Sequence, residues 1–289
     1  MKLVTFTTGG KTRIGKLFNE KTIVDLSTAL PNLPTDMRTF LDAGDAAMDL
    51  VRNVNESSGV TYSLADVTLE APVQNPSKYL AIGMNYKDHV EESLRKGIKM
   101  PETQVWFNKQ VSCVSAPFAD IDKPQVSDML DYEVELCVVI GKKCKNVSEK
   151  DALSVVAGYM IANDVSVRDV QWKSPTWTLG KSFDTHGPVG PWLVTADEIA
   201  DPYKLRMQLF VNGEKRQDNL TGLMVYNIHQ QIAHLTSILT LYPGDLIATG
   251  TPMGVAAGME TPKYLKVGDV VRAEIENLGH IENKVIAGS

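Results

Sequence analysis

Asp131-Tyr132-Glu133-Val134-Glu135-Leu136-Cys137-Val138-Val139-Ile140 is the stretch on which the fold turns. As a strand of period two, it sends Tyr132, Val134, Leu136, Val138 and Ile140 to one face and Glu133 and Glu135 to the other. Two carboxylates then stand side by side where an apolar run begins. Like charges that close raise each other's pKa unless a cation lies between them, so the pair is a candidate site for a hard divalent ion. The competing reading is an exposed strand face with two solvated glutamates.

On either side of this segment the β-rich runs continue at Tyr79 to Ile82, Val155 to Ala162, Leu205 to Val211, Asp245 to Thr249 and Val270 to Glu276. Turn sequences at Tyr242-Pro243-Gly244-Asp245 and Lys266-Val267-Gly268-Asp269 join strand to strand, and the clearest helical pattern runs from Thr221 or Leu223 to Leu241. This mixture predicts a β-dominated α+β fold rather than alternating βαβ units. At the N-terminus, Leu3–Thr7, Arg13–Phe18 and Thr22–Leu26 read as a small meander, followed by a helix over Asp36–Val54 that Gly44 interrupts. Two prolines in Ala71–Ser77 mark a linker. The expected division is a small N-terminal α+β domain over residues 1–74 and a catalytic domain over 75–289.

The chain has 289 residues, 43% of them hydrophobic, with 29 Lys+Arg against 35 Asp+Glu and a net charge of −6. That is a composition for a soluble globular protein with a sizeable core. Its scattered basic residues exclude a surface that tracks phosphates, so no nucleic-acid partner is expected. No apolar stretch approaches the roughly 18 residues of a membrane span, and the first residues lack a secretory h-region, so no membrane partner is expected either. Cys113, Cys137 and Cys144 are odd in number and lack CxxC spacing, which suits a reducing cytoplasm.

Four further segments carry candidate chemistry. The apolar strand ending in Ala162-Asn163-Asp164-Val165-Ser166-Val167-Arg168-Asp169 sets a carboxylate at a buried strand end, well placed as a third ligand. Three carboxylates around one Mg²⁺ or Mn²⁺ leave octahedral positions open for water or a chelating substrate. Asp169 has alternatives, a pair with Arg168 or a cap on the next turn. In Asn85-Tyr86-Lys87-Asp88-His89-Val90-Glu91-Glu92, Asp88 is a candidate N-cap, and His89 and Glu92 lie three apart on one helical face. A carboxylate so placed can orient an imidazole as a general base, although such a pair is also an ordinary surface feature. Lys181, in Thr178-Leu179-Gly180-Lys181-Ser182, follows an aromatic and Gly-containing stretch. The loop Thr249-Gly250-Thr251-Pro252 follows a strand and offers N–H and hydroxyl groups to a carboxylate. Neither is a Walker loop.

Taken together, GMNYKDHVEES, DYEVEL, GYMIANDVSVRD, WTLGKSFDTHGP and IATGTPMGV occur in an order and spacing that resembles the fumarylacetoacetate hydrolase family, over about residues 75 to 289. The resemblance implies a mixed β-roll, a homodimer and a Mg²⁺ or Mn²⁺ site. It implies that Glu133, Glu135 and Asp164 hold the metal, that His89 and Glu92 form a lid dyad, and that Lys181 is the active-site lysine. It also implies that Thr251 holds a substrate carboxylate; Gly250, Arg168 and Gln171 join it as candidate substrate-binding residues.

The implied substrate is a small 2-oxo acid. Hydrolysis of an acylpyruvate or fumarylpyruvate-like 2,4-dioxo acid, with His89 activating water, is the leading expectation. Decarboxylation of an oxaloacetate-type acid, or hydration or isomerisation, are the alternatives, and an inactive metal- or carboxylate-binding protein is a third class.

Overall fold

The structure is a computed structural model that describes residues 1–95, 97 and 102–288. In it, strand Val134–Ile140 lies between Val156–Asn163 and Leu246–Ala248, antiparallel to both. Every residue of the strand is buried. Period two holds, but the two faces look into two cores rather than into a core and solvent. Val134, Leu136, Val138 and Ile140 join one apolar cluster, and Cys137 and Val139 join the other. Full burial of one such side chain is worth about 1.5–3 kcal/mol, so this strand is costly to misplace.

Among the described residues the large sheet has twelve strands. Its main path runs Thr61–Ser63, Thr22–Asp25, Lys11–Phe18, Lys2–Thr8, Gly187–Thr195, Val156–Asn163, Val134–Ile140, Leu246–Ala248, Tyr79–Gly83 and Val105–Lys109. Leu246–Ala248 pairs in parallel with Tyr79–Gly83, so the sheet is mixed. A second sheet of five strands, Glu214–Leu220, Arg206–Val211, Val270–Ile275, Gly279–Ala287 and Ile121–Lys123, shares the first core through Leu209, Val271 and Ile281. The β-dominated α+β expectation is met.

The N-terminal meander forms as expected and then continues into the main sheet, with Lys2 opposite Val194 and Leu3 opposite Leu193. Helices Met37–Asp42 and Gly44–Arg52 place Phe40, Leu41, Ala47 and Val51 in the second core, beside Cys137 and Val139. The helix expected over 36–54 with an interruption at Gly44 forms as these two helices. Asp36 caps the first through the Thr39 amide at 3.0 Å, and Gly44, at φ +77°, makes the break that a side chain would strain. Hydrogen bonding runs across the proposed boundary at residue 74, which remains a proposal about independent folding.

The helix expected from Thr221 or Leu223 begins later, at Ile228, and ends at Ile238. Asn227 and Gln230 close a reciprocal capping box there, while Thr221–Leu223 is a separate 3₁₀ turn. No helix among the described residues is long and apolar enough to cross a membrane.

Candidate active site

Two strand ends build the centre. The register sets Val134 opposite Asn163 and Glu135 opposite Ala162, so Asp164, just past the end of its strand, comes level with Glu133. The Asp164 amide donates to the Glu133 carbonyl at 2.9 Å, and the Glu133 amide donates to Asn163 Oδ1 at 3.0 Å. Glu133, Glu135 and Asp164 thereby present one oxygen each, all within 4.8 Å of one another, and all three residues are buried. The reading of two solvated glutamates is excluded. Asp169 accepts from Ser127 Oγ at 2.6 Å and from the Val170 amide at 3.0 Å; it is the second residue of helix Arg168–Gln171, whose N-cap position is Val167, and Arg168 pairs with Asp131 and Glu133, so neither the pair with Arg168 nor the cap is its role.

Cations pair with two members of the triad, Glu133 and Asp164. Lys181 Nζ donates to Glu133 Oε2 and Asp164 Oδ2, each at 2.8 Å. Lys109, at the end of its strand, donates to Asp164 Oδ1 at 2.6 Å and to the Lys181 carbonyl. Arg168 pairs with Asp131 through Nε at 2.8 Å and with Glu133 through Nη2 at 2.7 Å, and donates to Gln171 Oε1 at 3.0 Å. Burial would raise the Glu133 pKa, but Lys181 and Arg168 outweigh it and hold the carboxyl down at about 2. Burial would lower that of Lys181, but Asp164 and Glu133 raise it, so the amine stays an ammonium and is no base in this state.

Glu135 differs. It accepts the Gly250 amide at 2.7 Å, and no cation lies within ion-pair distance of it among the described residues. Burial, then Asp164 and Glu133, push its pKa well above the usual carboxylate range. A buried all-oxygen cluster short of positive charge is a donor set that suits a hard divalent ion.

The Gly250 amide is thus committed to Glu135 rather than to a substrate. At φ +101° a side chain there would be strained, and its Cβ would come 2.7 Å from that of Asn85. Thr251 Oγ1 donates to the Val134 carbonyl and accepts from Gln217 Nε2, both at 2.8 Å, and Thr251 still lines the cavity.

That cavity, about 470 Å³, is lined by Glu133, Glu135, Arg168, Gln171, Lys181 and Thr251 on its polar side. Phe107, Trp172, Trp177, Met84, Val255 and Tyr264 supply an apolar side. Helix Lys87–Arg95 brings His89 and Glu92 to the same space, with His89 Nδ1 and Glu92 Oε2 3.0 Å apart. A carboxylate only accepts, so Nδ1 carries the proton and Nε2 is left as the basic nitrogen. Asp88 is the second residue of this helix, not its cap; its carboxylate bonds the His89 amide at 2.8 Å and the Met253 amide at 3.3 Å, anchoring the helix to the loop after Thr251. Lys96 and residues 98–101, with the Pro101 expected to flank the lid, lie outside the described residues.

Two members of the centre were missing from the sequence reading as functional candidates, Lys109 and Asp131. Both are buried, and neither sits in a pattern that marks it, because Lys109 closes a short strand and Asp131 merely precedes the ExE pair.

Residues 78–286 match the family model described as the C-terminal domain of fumarylacetoacetate (FAA) hydrolase. The chain belongs to the fumarylacetoacetate hydrolase family. Within it, the chain is 42% identical over 291 residues to the mitochondrial oxaloacetate tautomerase fahd2 of Xenopus laevis, covering 99% of this chain and 90% of that one. The crystal structure of maleylpyruvate hydrolase from Sphingobium sp. SYK-6, in complex with manganese(II) and pyruvate, is similar at TM-score 0.83 and 32% identity, covering 100% of both chains. That of 5-carboxymethyl-2-hydroxymuconate delta-isomerase from Mycobacterium smegmatis is similar at TM-score 0.79 and 31% identity, covering 99% of this chain and 100% of that one. These family relatives are thus named as a tautomerase, a hydrolase and an isomerase.

Proposed function

We propose that this chain is a divalent-metal-dependent enzyme that moves a proton at C3 of a small 2-oxo acid, interconverting the keto and enol forms of an oxaloacetate-like substrate. The observation that carries the reading is a carboxylate-held imidazole in the same cavity as a buried three-carboxylate cluster, in a chain this similar throughout to an oxaloacetate tautomerase.

A Mg²⁺ or Mn²⁺ ion held by Glu133, Glu135 and Asp164 would supply Lewis-acid polarisation of the 2-oxo group. In the keto-to-enol direction His89 Nε2 takes the C3 proton and delivers it to the C2 oxygen, in the reverse direction it moves the proton from that oxygen to C3, and Glu92 stabilises the imidazolium in between. Lys181, kept charged by its carboxylate partners, adds positive potential where the enolate oxygen develops. Gln171, whose Oε1 is occupied by Arg168, has its amide N–H groups left to bind substrate oxygens. Thr251 lines the same wall, and its hydroxyl would hold a substrate carboxylate only by exchanging its bond to the Val134 carbonyl for one to the ligand.

The second reading, hydrolysis of an acylpyruvate or fumarylpyruvate-like acid, draws on the apolar wall of Phe107, Trp172 and Trp177, which suits an acyl group beyond C3, and on the likeness to maleylpyruvate hydrolase. There His89 activates water. A homodimer, implied by the family resemblance, belongs to the proposal, and light scattering tests it. So does the cytoplasmic location suggested by three free cysteines, although the Xenopus relative is named as mitochondrial.

The deciding experiment follows the decay of enol oxaloacetate, and pyruvate release from oxaloacetate and from acetylpyruvate, with Mg²⁺-loaded and EDTA-treated protein. Metal-dependent enol decay without pyruvate is expected. Pyruvate from acetylpyruvate alone would establish the hydrolase instead, and pyruvate from oxaloacetate the decarboxylase. No turnover in any assay would leave a binding protein.

A further inference from the structure

The turn Ala256–Gly258 has no assigned role, yet it touches both halves of the centre. On one side, Asp131, fully buried, accepts the Ala256 amide at 2.8 Å, the Ala257 amide at 2.9 Å and Arg168 Nε at 2.8 Å. The turn is thus tied through one carboxylate to the arginine that pairs with Glu133. On the other side, the turn meets the lid helix. A Cβ built on Gly258 would lie 2.2 Å from the Glu92 carboxyl carbon and 2.2 and 2.3 Å from its two oxygens, and those are its three nearest atoms. The Glu92 carboxylate therefore rests directly on the bare backbone of Gly258.

Gly258 is not in the left-handed region, so its conformation does not itself demand glycine. What demands it is the approach of Glu92. The carboxylate that orients His89 can occupy its place only while position 258 has no side chain.

We propose that Gly258 is a positioning residue: it is the seat on which the lid's Glu92 settles so that His89 is held in its working tautomer, and Asp131 fixes that seat relative to the metal-binding carboxylates. The inference rests on the proposed role of the His89–Glu92 dyad. Gly258 touches no reacting atom and acts only through Glu92.

The test uses full-length wild type, Gly258→Ala, Gly258→Val, Glu92→Gln and the double variant Gly258→Ala/Glu92→Gln. The substrate-independent readout is ¹⁵N–¹H NMR of histidine-labelled protein with Mg²⁺ and oxalate, where the His89 Nδ1–H held by Glu92 gives a protected ring resonance. That resonance should be present in wild type and lost in Gly258→Ala as it is in Glu92→Gln, with Mg²⁺ affinity by calorimetry unchanged. On whichever substrate the wild type turns over, kcat should fall ~10²-fold in Gly258→Ala and further in Gly258→Val, within the range of a displaced general base. KM should move little, and the double variant should be no slower than Glu92→Gln alone, because both act on one group.

A retained Nδ1–H resonance with wild-type kcat in Gly258→Ala would overturn the proposal, as would losses that multiply in the double variant. Should Gly258→Ala fail to fold, Asp131→Asn loosens the same turn without adding atoms, and an unchanged resonance there would overturn it equally. If wild type itself lacks the resonance, the dyad is wrong and this inference falls with it. If the NMR results hold but neither oxaloacetate nor acetylpyruvate is turned over, the seat stands and the proposed reaction falls.

Discussion

Lys109→Met isolates a buried charge that the fold depends on. The lysine side chain is wholly buried and its ammonium lies 2.6 Å from Asp164 Oδ1, an atom of another wholly buried side chain. Methionine keeps most of the volume and removes only the charge and the donors. In the metal-free protein Lys109, Lys181 and Arg168 face Asp131, Glu133 and Asp164, while burial and its two carboxylate neighbours drive Glu135 toward its neutral form. Deleting one cation leaves a buried carboxylate short of its counter-charge where water cannot screen it. Breaking a buried pair by removing one partner destabilises by about 3–5 kcal/mol. With an unfolding entropy of about 2.1 cal/mol/K per residue, that corresponds for a chain of this length to a Tm lower by about 5–8 °C.

The assay is differential scanning calorimetry of wild type and Lys109→Met in EDTA, then with saturating Mg²⁺. The gap should narrow with the ion, because two positive charges are returned to the same cluster. A variant that melts within 1 °C of wild type in EDTA would refute the reasoning, and a gap that widens on adding Mg²⁺ would show that Lys109 does not act through the cluster's charge.

Glu135→Ala and Asp164→Ala should each abolish Mg²⁺ and Mn²⁺ binding while the protein stays soluble, and unchanged calorimetric affinity in both would remove the metal assignment. His89→Ala should lower turnover ~10²- to 10⁴-fold; under the hydrolase reading its effect on acetylpyruvate cleavage should exceed that on oxaloacetate decarboxylation, and a rate matching wild type would dismiss His89 as the base. Hydrogen exchange in helix Lys87–Arg95 should slow when oxalate and Mg²⁺ are added, as for a closing lid, and identical exchange would contradict it. His186, buried with its Nε2 bonded to the Asp122 carbonyl at 2.8 Å, has its pKa pushed down by burial to about 4. Unfolding then takes up a proton between pH 6.5 and 4, so the contribution is complete above 6.5 and is lost as pH falls, reaching about 3 kcal/mol; urea titrations in which His186→Phe keeps the same pH slope over that window would disprove it.

The elements that could be read locally were those whose pattern is local. The alternation from Tyr132 to Ile140 placed its apolar residues correctly, and the break at Gly44 followed from one residue's conformational freedom. Three carboxylates on two neighbouring strand ends were legible because adjacent antiparallel strands bring their ends level. What escaped depends on partners distant in sequence. No local pattern says that Leu3 will pair with Leu193, or that a second core will cover the face on which Glu135 stands. Lys109 looked like any lysine at a strand end until Asp164, 55 residues away, gave it a partner. The Gly250 amide likewise resembled an anion cradle and proved to hold Glu135.

The central strand also bears on how such a chain can change over generations. Since alternate residues of Val134–Ile140 enter different cores, one inserted or deleted residue there would exchange the two sets and swing Glu135 out of the cavity at the same stroke. Length variation among descendants should therefore be purged from this strand and its partner Val156–Asn163. New substrate preferences would then arise by substitution among the apolar residues that line the cavity, such as Phe107, Trp172 and Trp177, while its carboxylate floor stays the same.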